Sequence, residues 1–225
     1  MVRLVLFDID GTLVHTGGAG MKAFARAFET EFNLPNGTER MKFAGRTDTG
    51  LVREFFSINQ IEPSPRNFQR FFDCYVFWLD HFLGQLTGGA CPGVLDFIRS
   101  LRALRRPPRL GLLTGNIRLG AEIKLRHYDL WPLFETGGFG DDHEERNEIA
   151  AIAQRRGGKL LGKPLAGEEI LVVGDTPLDI ACARAIGARC LAVATGGAKL
   201  AELQAHEPDW AVADLSRITA SEACA

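Results

Sequence analysis

Two carboxylates separated by one residue, Asp8 and Asp10, followed by Gly11 and Thr12, are the side chains of this 225-residue chain best placed to do chemistry. They come directly after Leu4-Val5-Leu6-Phe7, an apolar run with no helical stripe, as expected of a strand buried on both faces of a parallel sheet. Open α/β sheets hold their ligands at the carboxyl ends of such strands. Strand alternation would send Asp8 and Asp10 to opposite faces, but Gly11 permits a tight bend that can turn both toward one pocket. Environment can then keep one acid ionised, as nucleophile or metal ligand, and the other protonated. The plain alternative is an aspartate that only starts a turn. The motif and its position after a buried strand together favour function.

Two further strands should deliver chemistry to the same edge. Residues 110–113 run into Thr114-Gly115-Asn116, where a hydroxyl and a glycine at a strand-to-helix turn can bind a phosphoryl oxygen, helped by amides of the next helix. Thr114 and Asn116 can equally cap that helix, and spacing does not choose between the two. Residues 170–173 lead into Gly174-Asp175-Thr176-Pro177-Leu178-Asp179. Asp175 and Asp179 alone could be a cap and a first-turn acid. With Asp8 they make the oxygen-rich setting that Mg²⁺ prefers, and a cation would relieve the repulsion among converging carboxylates.

The remaining pattern supplies the elements that position these groups. Met21, Phe24, Phe28 and Phe32 recur at helical spacing, and that helix should stop before Pro35. A second helix holds Leu51, Val52, Phe55 and Phe56. A third carries the wide stripe Phe68, Phe71, Phe72, Tyr75, Val76, Leu79, Phe82, Leu83 and Leu86, which reads as packing core. The glycine-rich stretches 15–20 and 88–89 read as flexible joints on either side of this helical block. From residue 94 helices (94–104, 117–127, 149–155, 178–186) alternate with strands (109–114, 136–139, 170–173, 189–194, 210–213), which implies an α/β, Rossmann-like parallel sheet with helices on both faces. Residues 1–15 and 90–225 would then form the α/β core, with 16–89 an inserted all-helical cap that closes over a pocket.

The totals exclude several classes. A formal net charge of −2 gives no electrostatic case for nucleic acid or an anionic membrane. No apolar run approaches a bilayer span and the chain opens on the buried strand, so neither a membrane span nor a signal peptide is expected. The five cysteines are scattered and odd in number, which suits reduced thiols in the cytoplasm. The five histidines show no ligand spacing. Oligomeric state is left open.

Asp-x-Asp-Gly-Thr-Leu at 8–13, the threonine at 114 after an apolar strand, and Gly-Asp-x-x-x-Asp at 174–179 resemble the first, second and fourth motifs of the haloacid dehalogenase-like hydrolase superfamily. The third motif, a basic residue usually lysine, has two candidates. Arg146, at the head of the helix before the 170–173 strand, is favoured over Lys163, which lies too close to that strand for a helix to intervene. The helical insert between the first two motifs resembles the cap of the phosphoglycolate phosphatase-like and phosphomutase-like branches. The resemblance implies a phosphoric monoester hydrolase in which Asp8 is the nucleophile and forms an aspartyl-phosphate, and Asp10 protonates the leaving group and then activates water. It also implies Mg²⁺ held by Asp8, the Asp10 carbonyl and Asp175 with support from Asp179, and a phosphoryl group held by Thr114 and Arg146. Gly11, Gly115 and Asn116 would line the substrate site, and Arg46, in the cap loop Gly45-Arg46-Thr47-Asp48, would bind the substrate's own acidic group. Thr47 and Asp48 fit a helix N-cap better than a substrate contact. A small phosphorylated metabolite is the expected substrate. A sugar phosphomutase using the same residues, or an inactive binding protein, are the alternatives.

Overall fold

The computed structural model describes residues 1–35, 38 and 41–225. Six strands, β1 (Leu4–Phe7), β4 (Arg109–Leu113), β5 (Thr136–Gly138), β6 (Ile170–Gly174), β7 (Arg189–Val193) and β8 (Trp210–Val212), form a parallel sheet in the order β5-β4-β1-β6-β7-β8. The chain runs outward from β1 through β4 to β5 and then crosses back to β6 on the other side of β1, so the topological switch point of the sheet lies between β1 and β6. Phe7 is in register with Leu112 on one side and Val173 on the other, which brings the ends of β1, β4 and β6 to one edge.

Strand alternation divides the apolar residues of β1 between two cores. Val5 and Phe7 pack on one face with α4 (Val94–Arg102), while Leu4 and Leu6 pack on the other with α6 (Arg146–Leu160) and α7 (Pro177–Ala185). Helix α5 (Arg118–His127) follows β4 and carries buried Ala121, Lys124 and Leu125. Short helices α8 (Leu200–Ala205) and α9 (Ala220–Ala223) complete the C-terminal part.

Helices α1 (Ala19–Phe32), α2 (Asp48–Ile58) and α3 (Pro65–Leu83) make a third, phenylalanine-rich core. Phe28 stacks on Phe55 with centroids 3.4 Å apart, and Phe24 meets Tyr75 edge-on at 4.8 Å. The aromatic stripe is therefore packing, as its helical spacing implies. Helix α3 starts on the Ser64 cap with proline in its first turn, and α2 starts on Thr47, whose side chain accepts from Gly50 N at 3.2 Å.

At the two glycine-rich joints the structure adds a feature that the sequence did not suggest. Val14–His15 (β2) and Gly89–Ala90 (β3) pair as a two-stranded antiparallel ribbon at the base of the helical block. Two-residue strands leave no alternation to read, and the glycines drew attention to flexibility instead. Gly88 has no room for a side chain, since a Cβ there would lie 2.1 Å from the Tyr128 hydroxyl and 2.2 Å from the His15 carbonyl. No helix among the described residues is long and apolar enough to cross a membrane.

Candidate active site

The bend after β1 does what a glycine allows. The amides of Thr12, Leu13 and Val14 all turn back to the Ile9 carbonyl, and Gly11 sits at φ 81°, where a side chain is strained. A Cβ on Gly11 would lie 2.7 Å from Asp175 Oδ2 and 2.8 Å from Gly196 Cα. Asp8 and Asp10 consequently line one cavity of about 500 Å³ between the sheet edge and the helical block. Lys124, Arg146 and Asp175 line it from the sheet side; Phe24, Phe43 and Arg46 close it from the other.

Asp8, Asp175 and Asp179 are all buried, and each offers a carboxylate oxygen within 4.8 Å of the others'. Arg146, at the first position of α6, is the guanidinium among them. Its Nη2 lies 3.2 Å from Asp8 Oδ1 and donates to Asp179 Oδ1, while its Nη1 donates to the Gly45 carbonyl at 3.1 Å. Its Nε–H has no partner among the described residues. Burial works against the Arg146 charge, but Asp179 and Asp8 outweigh it and hold the group protonated. Asp179 Oδ2 accepts from the Thr176 amide at 3.0 Å and hydroxyl at 2.7 Å, so both oxygens of Asp179 are already engaged. Thr12 Oγ1 donates to Asp175 Oδ1 at 3.0 Å. Burial pushes the pKa of Asp8 upward, with Arg146 opposing and Asp179 adding. Burial, then Asp179 and Asp8, do the same to Asp175. Three carboxylates thus face one guanidinium in a buried place, and their all-oxygen donor set suits a hard divalent cation.

The Asp10 carboxylate points away from that cluster. Its Oδ2 accepts from Lys124 Nζ at 2.6 Å and from Asn116 Nδ2 at 2.9 Å. Asn116 Nδ2 also reaches Thr114 Oγ1 at 2.8 Å, and Asn116 Oδ1 accepts from Lys124 Nζ at 2.6 Å.

Thr114 and Asn116 do not cap α5. The Ile117 amide donates to Asp48 Oδ2 and the Arg118 amide to Asp141 Oδ1, both at 2.9 Å. Two amides expected to help hold a phosphoryl oxygen are therefore taken by acids from elsewhere in the chain. Burial raises the Asp48 pKa to about 7 against the opposing pull of Lys124 and the Ile117 amide. Folded Asp48 then keeps a proton that the unfolded chain releases from about pH 4, so its contribution to stability is present at low pH and is lost as pH rises to about 7. Asp48→Asn keeps the acceptor and removes this titration. Between pH 5 and 8 the variant should lose about 2–3 kcal/mol less than the natural protein in urea unfolding. Identical losses would show that Asp48 does not titrate this way.

Of the residues singled out in the sequence, Asp8, Asp10, Gly11, Arg46, Gly115, Asn116, Arg146 and Asp175 all border the cavity. Asp179 lies behind it, fully buried. Thr114 is also fully buried, its hydroxyl accepting from Asn116 N and Nδ2. Arg46 is paired with Glu54 at 2.5 Å. Lys163 lies beyond α6 and pairs with Glu169 at 2.7 Å, on an exposed face. Sequence reasoning gave no role to Lys124 or Gly196, named Thr12 only as part of the first motif, and read Asp48 as a helix-cap candidate. A Cβ on Gly196 would sit 1.6 Å from Asp175 Oδ2, so this glycine makes room for the acid. Only Thr12, inside the first motif, had a signal that could have found it.

Comparison with known proteins supplies the context. The family model described as haloacid dehalogenase-like hydrolase matches residues 5–193. The chain is 28% identical over 213 residues to a phosphoglycolate phosphatase of Synechococcus elongatus, covering 93% of this chain and 92% of that one. It is 27% identical over 218 residues to the pyrophosphatase PpaX of Oceanobacillus iheyensis, covering 96% and 95%. Among solved structures, a predicted phosphoglycolate phosphatase from Haemophilus somnus superposes with a TM-score of 0.72 at 22% identity, covering 96% and 95% of the two chains. CbbY from Rhodobacter sphaeroides, solved with phosphate, gives 0.70 at 20% identity over 88% of each.

Proposed function

Because the chain belongs to the haloacid dehalogenase-like hydrolase family, we propose that it is a Mg²⁺-dependent phosphatase cleaving small phosphate monoesters through a phosphorylated Asp8. The observation that carries this reading is the convergence of Asp8, Asp175 and Arg146, backed by Asp179, beside an independently held Asp10 on a single cavity. Relatives named for phosphoglycolate and pyrophosphate hydrolysis support a small phosphorylated substrate.

In this reading an Asp8 oxygen attacks phosphorus, the bond to the ester oxygen breaks, and Asp10 gives its proton to the departing alkoxide. Water then attacks the phosphorus of the aspartyl-phosphate, yielding its proton to Asp10 and releasing phosphate and the Asp8 carboxylate. Arg146 holds charge at the phosphoryl oxygens, and its unpartnered Nε–H is a donor in reserve. Mg²⁺ on Asp8, Asp175 and the Asp10 carbonyl, with Asp179 behind them, would supply further positive charge there. Asp179 acts mainly by fixing Arg146 and the start of α7, since its oxygens are engaged.

Residues 16–89 serve as the cap. The start of α2 is tied to the sheet edge through the Asp48 amide to Gly115 O at 2.7 Å, Thr47 Oγ1 to Glu144 O at 2.8 Å and Thr49 Oγ1 to Gly140 O at 2.6 Å. A cap anchored there and closed over a bound substrate would exclude bulk water during transfer. The five cysteines are free, which fits a reducing compartment such as the cytoplasm.

The test is phosphate release from a panel of small phosphomonoesters and pyrophosphate. Activity should fall at least about 100-fold in EDTA and return with Mg²⁺. A panel without a single substrate, or activity indifferent to EDTA, would contradict the proposal.

A further inference from the structure

One buried cation has no task in the reaction as written. Lys124 is 4% exposed, and burying an ammonium is unfavourable unless it is paired and hydrogen-bonded. It is both. Its Nζ donates to Asp10 Oδ2 and to Asn116 Oδ1, each at 2.6 Å, and Asn116 Nδ2 donates to the same Asp10 oxygen at 2.9 Å. Thr114 Oγ1 accepts from Asn116 Nδ2 and from the Asn116 amide, which fixes the asparagine in turn. Gly20 of α1 lies over the ammonium, where a Cβ would come within 3.4 Å of Nζ. Two donors therefore converge on one oxygen of Asp10. No donor among the described residues reaches the other oxygen, and the Asp10 side chain remains 45% exposed, on the cavity.

We infer that Lys124, with Asn116, is a positioning residue that clamps Oδ2 of Asp10 and so presents Oδ1 to the substrate's leaving oxygen. The inference rests on the phosphatase reading above. As the ester bond breaks, the electron pair goes to the leaving oxygen and the Asp10 proton follows it, leaving a carboxylate whose new charge forms beside the Lys124 ammonium. In the second half water gives its proton back to the same oxygen. Charge-assisted bonds of this length fix geometry as well as energy. A carboxyl free to rotate spends less time aligned with the leaving oxygen, and proximity of this kind is sensitive to small displacements. The role has a signature, because an alkoxide needs a proton to leave whereas p-nitrophenolate does not.

Lys124→Met and Asn116→Ala are compared with the natural protein on a simple alkyl phosphate and on p-nitrophenyl phosphate, in saturating Mg²⁺. For Lys124→Met, kcat/KM, which reports the first transfer and not the hydrolysis common to both esters, should fall about 10²–10³-fold on the alkyl ester and less than about 10-fold on the nitrophenyl ester. KM should move little on either. Asn116→Ala should show the same bias in smaller measure, and it alone decides the matter if Lys124→Met does not fold. Equal losses on both esters would mean that Lys124 merely holds the structure, and a raised KM with unchanged kcat would make it a substrate-binding residue. Either result overturns the inference while leaving the phosphatase reading intact. A natural protein that hydrolyses neither ester overturns both.

Discussion

Replacing Asp8 by asparagine should abolish hydrolysis, with kcat falling on the order of 10⁵-fold, the scale seen when a covalent nucleophile is removed. An amide is almost the same size as the carboxylate but cannot form and release an acyl phosphate. The loss should not come from unfolding. Asp8 is buried with two other acids, and burial already pushes its pKa upward, so its ionised form is disfavoured in the folded, metal-free protein. The stability that its protonated form confers is lost as pH rises, and asparagine has no such loss. In EDTA at pH 8 Asp8→Asn should therefore melt no lower than the natural protein, with Arg146 still paired to Asp179. A variant that has lost activity and also melts many degrees lower would show Asp8 to be a structural acid.

Arg146 carries the second large effect, and here stability and activity should fall together. Arg146→Met leaves Asp8 and Asp179 buried without their common cation, which should cost about 3–5 kcal/mol in urea unfolding. It also removes the guanidinium beside the proposed phosphoryl site, so kcat/KM should drop about 10³-fold. Arg146→Lys separates the two contributions. A lysine keeps the charge but cannot reach Asp8, Asp179 and the Gly45 carbonyl together, so it should recover most of the stability and only part of the activity. Full activity in Arg146→Lys would mean that the fork geometry is irrelevant and only charge matters.

The parallel sheet and the edge at which the acids gather were legible because they rest on local signals. A short apolar run that ends in a glycine and polar side chains marks a buried strand and its end, and β1, β4 and β6 all carry that signature, with acids after β1 and β6 and Thr114 and Asn116 after β4. Asp175 and Asp179 could be read as partners of Asp8 for the same reason. The neighbours that tune those acids were not legible. Lys124 sits inside α5, in a stretch whose periodicity says only that it is helical, and nothing local says that its head meets Asp10 across 114 residues. Asp48 reads as a cap candidate for its own helix α2, yet its carboxylate accepts the amide at the head of a different helix. The Thr114 hydroxyl turns onto Asn116, a choice between two equally local options that only the surrounding packing makes. Gly196 is informative solely through the space it leaves for Asp175. Motifs report the groups that react; the shell that orients them is assembled by tertiary contacts.

The most direct test is to find where the phosphoryl group goes. The natural protein is quenched during steady turnover of its best substrate with Mg²⁺, treated with borohydride to reduce any acyl phosphate, and mapped by peptide mass. The account predicts reduction of one aspartate to homoserine, at position 8, and none in Asp8→Asn. Reduction at another carboxylate, or none while phosphate is being released, would contradict it.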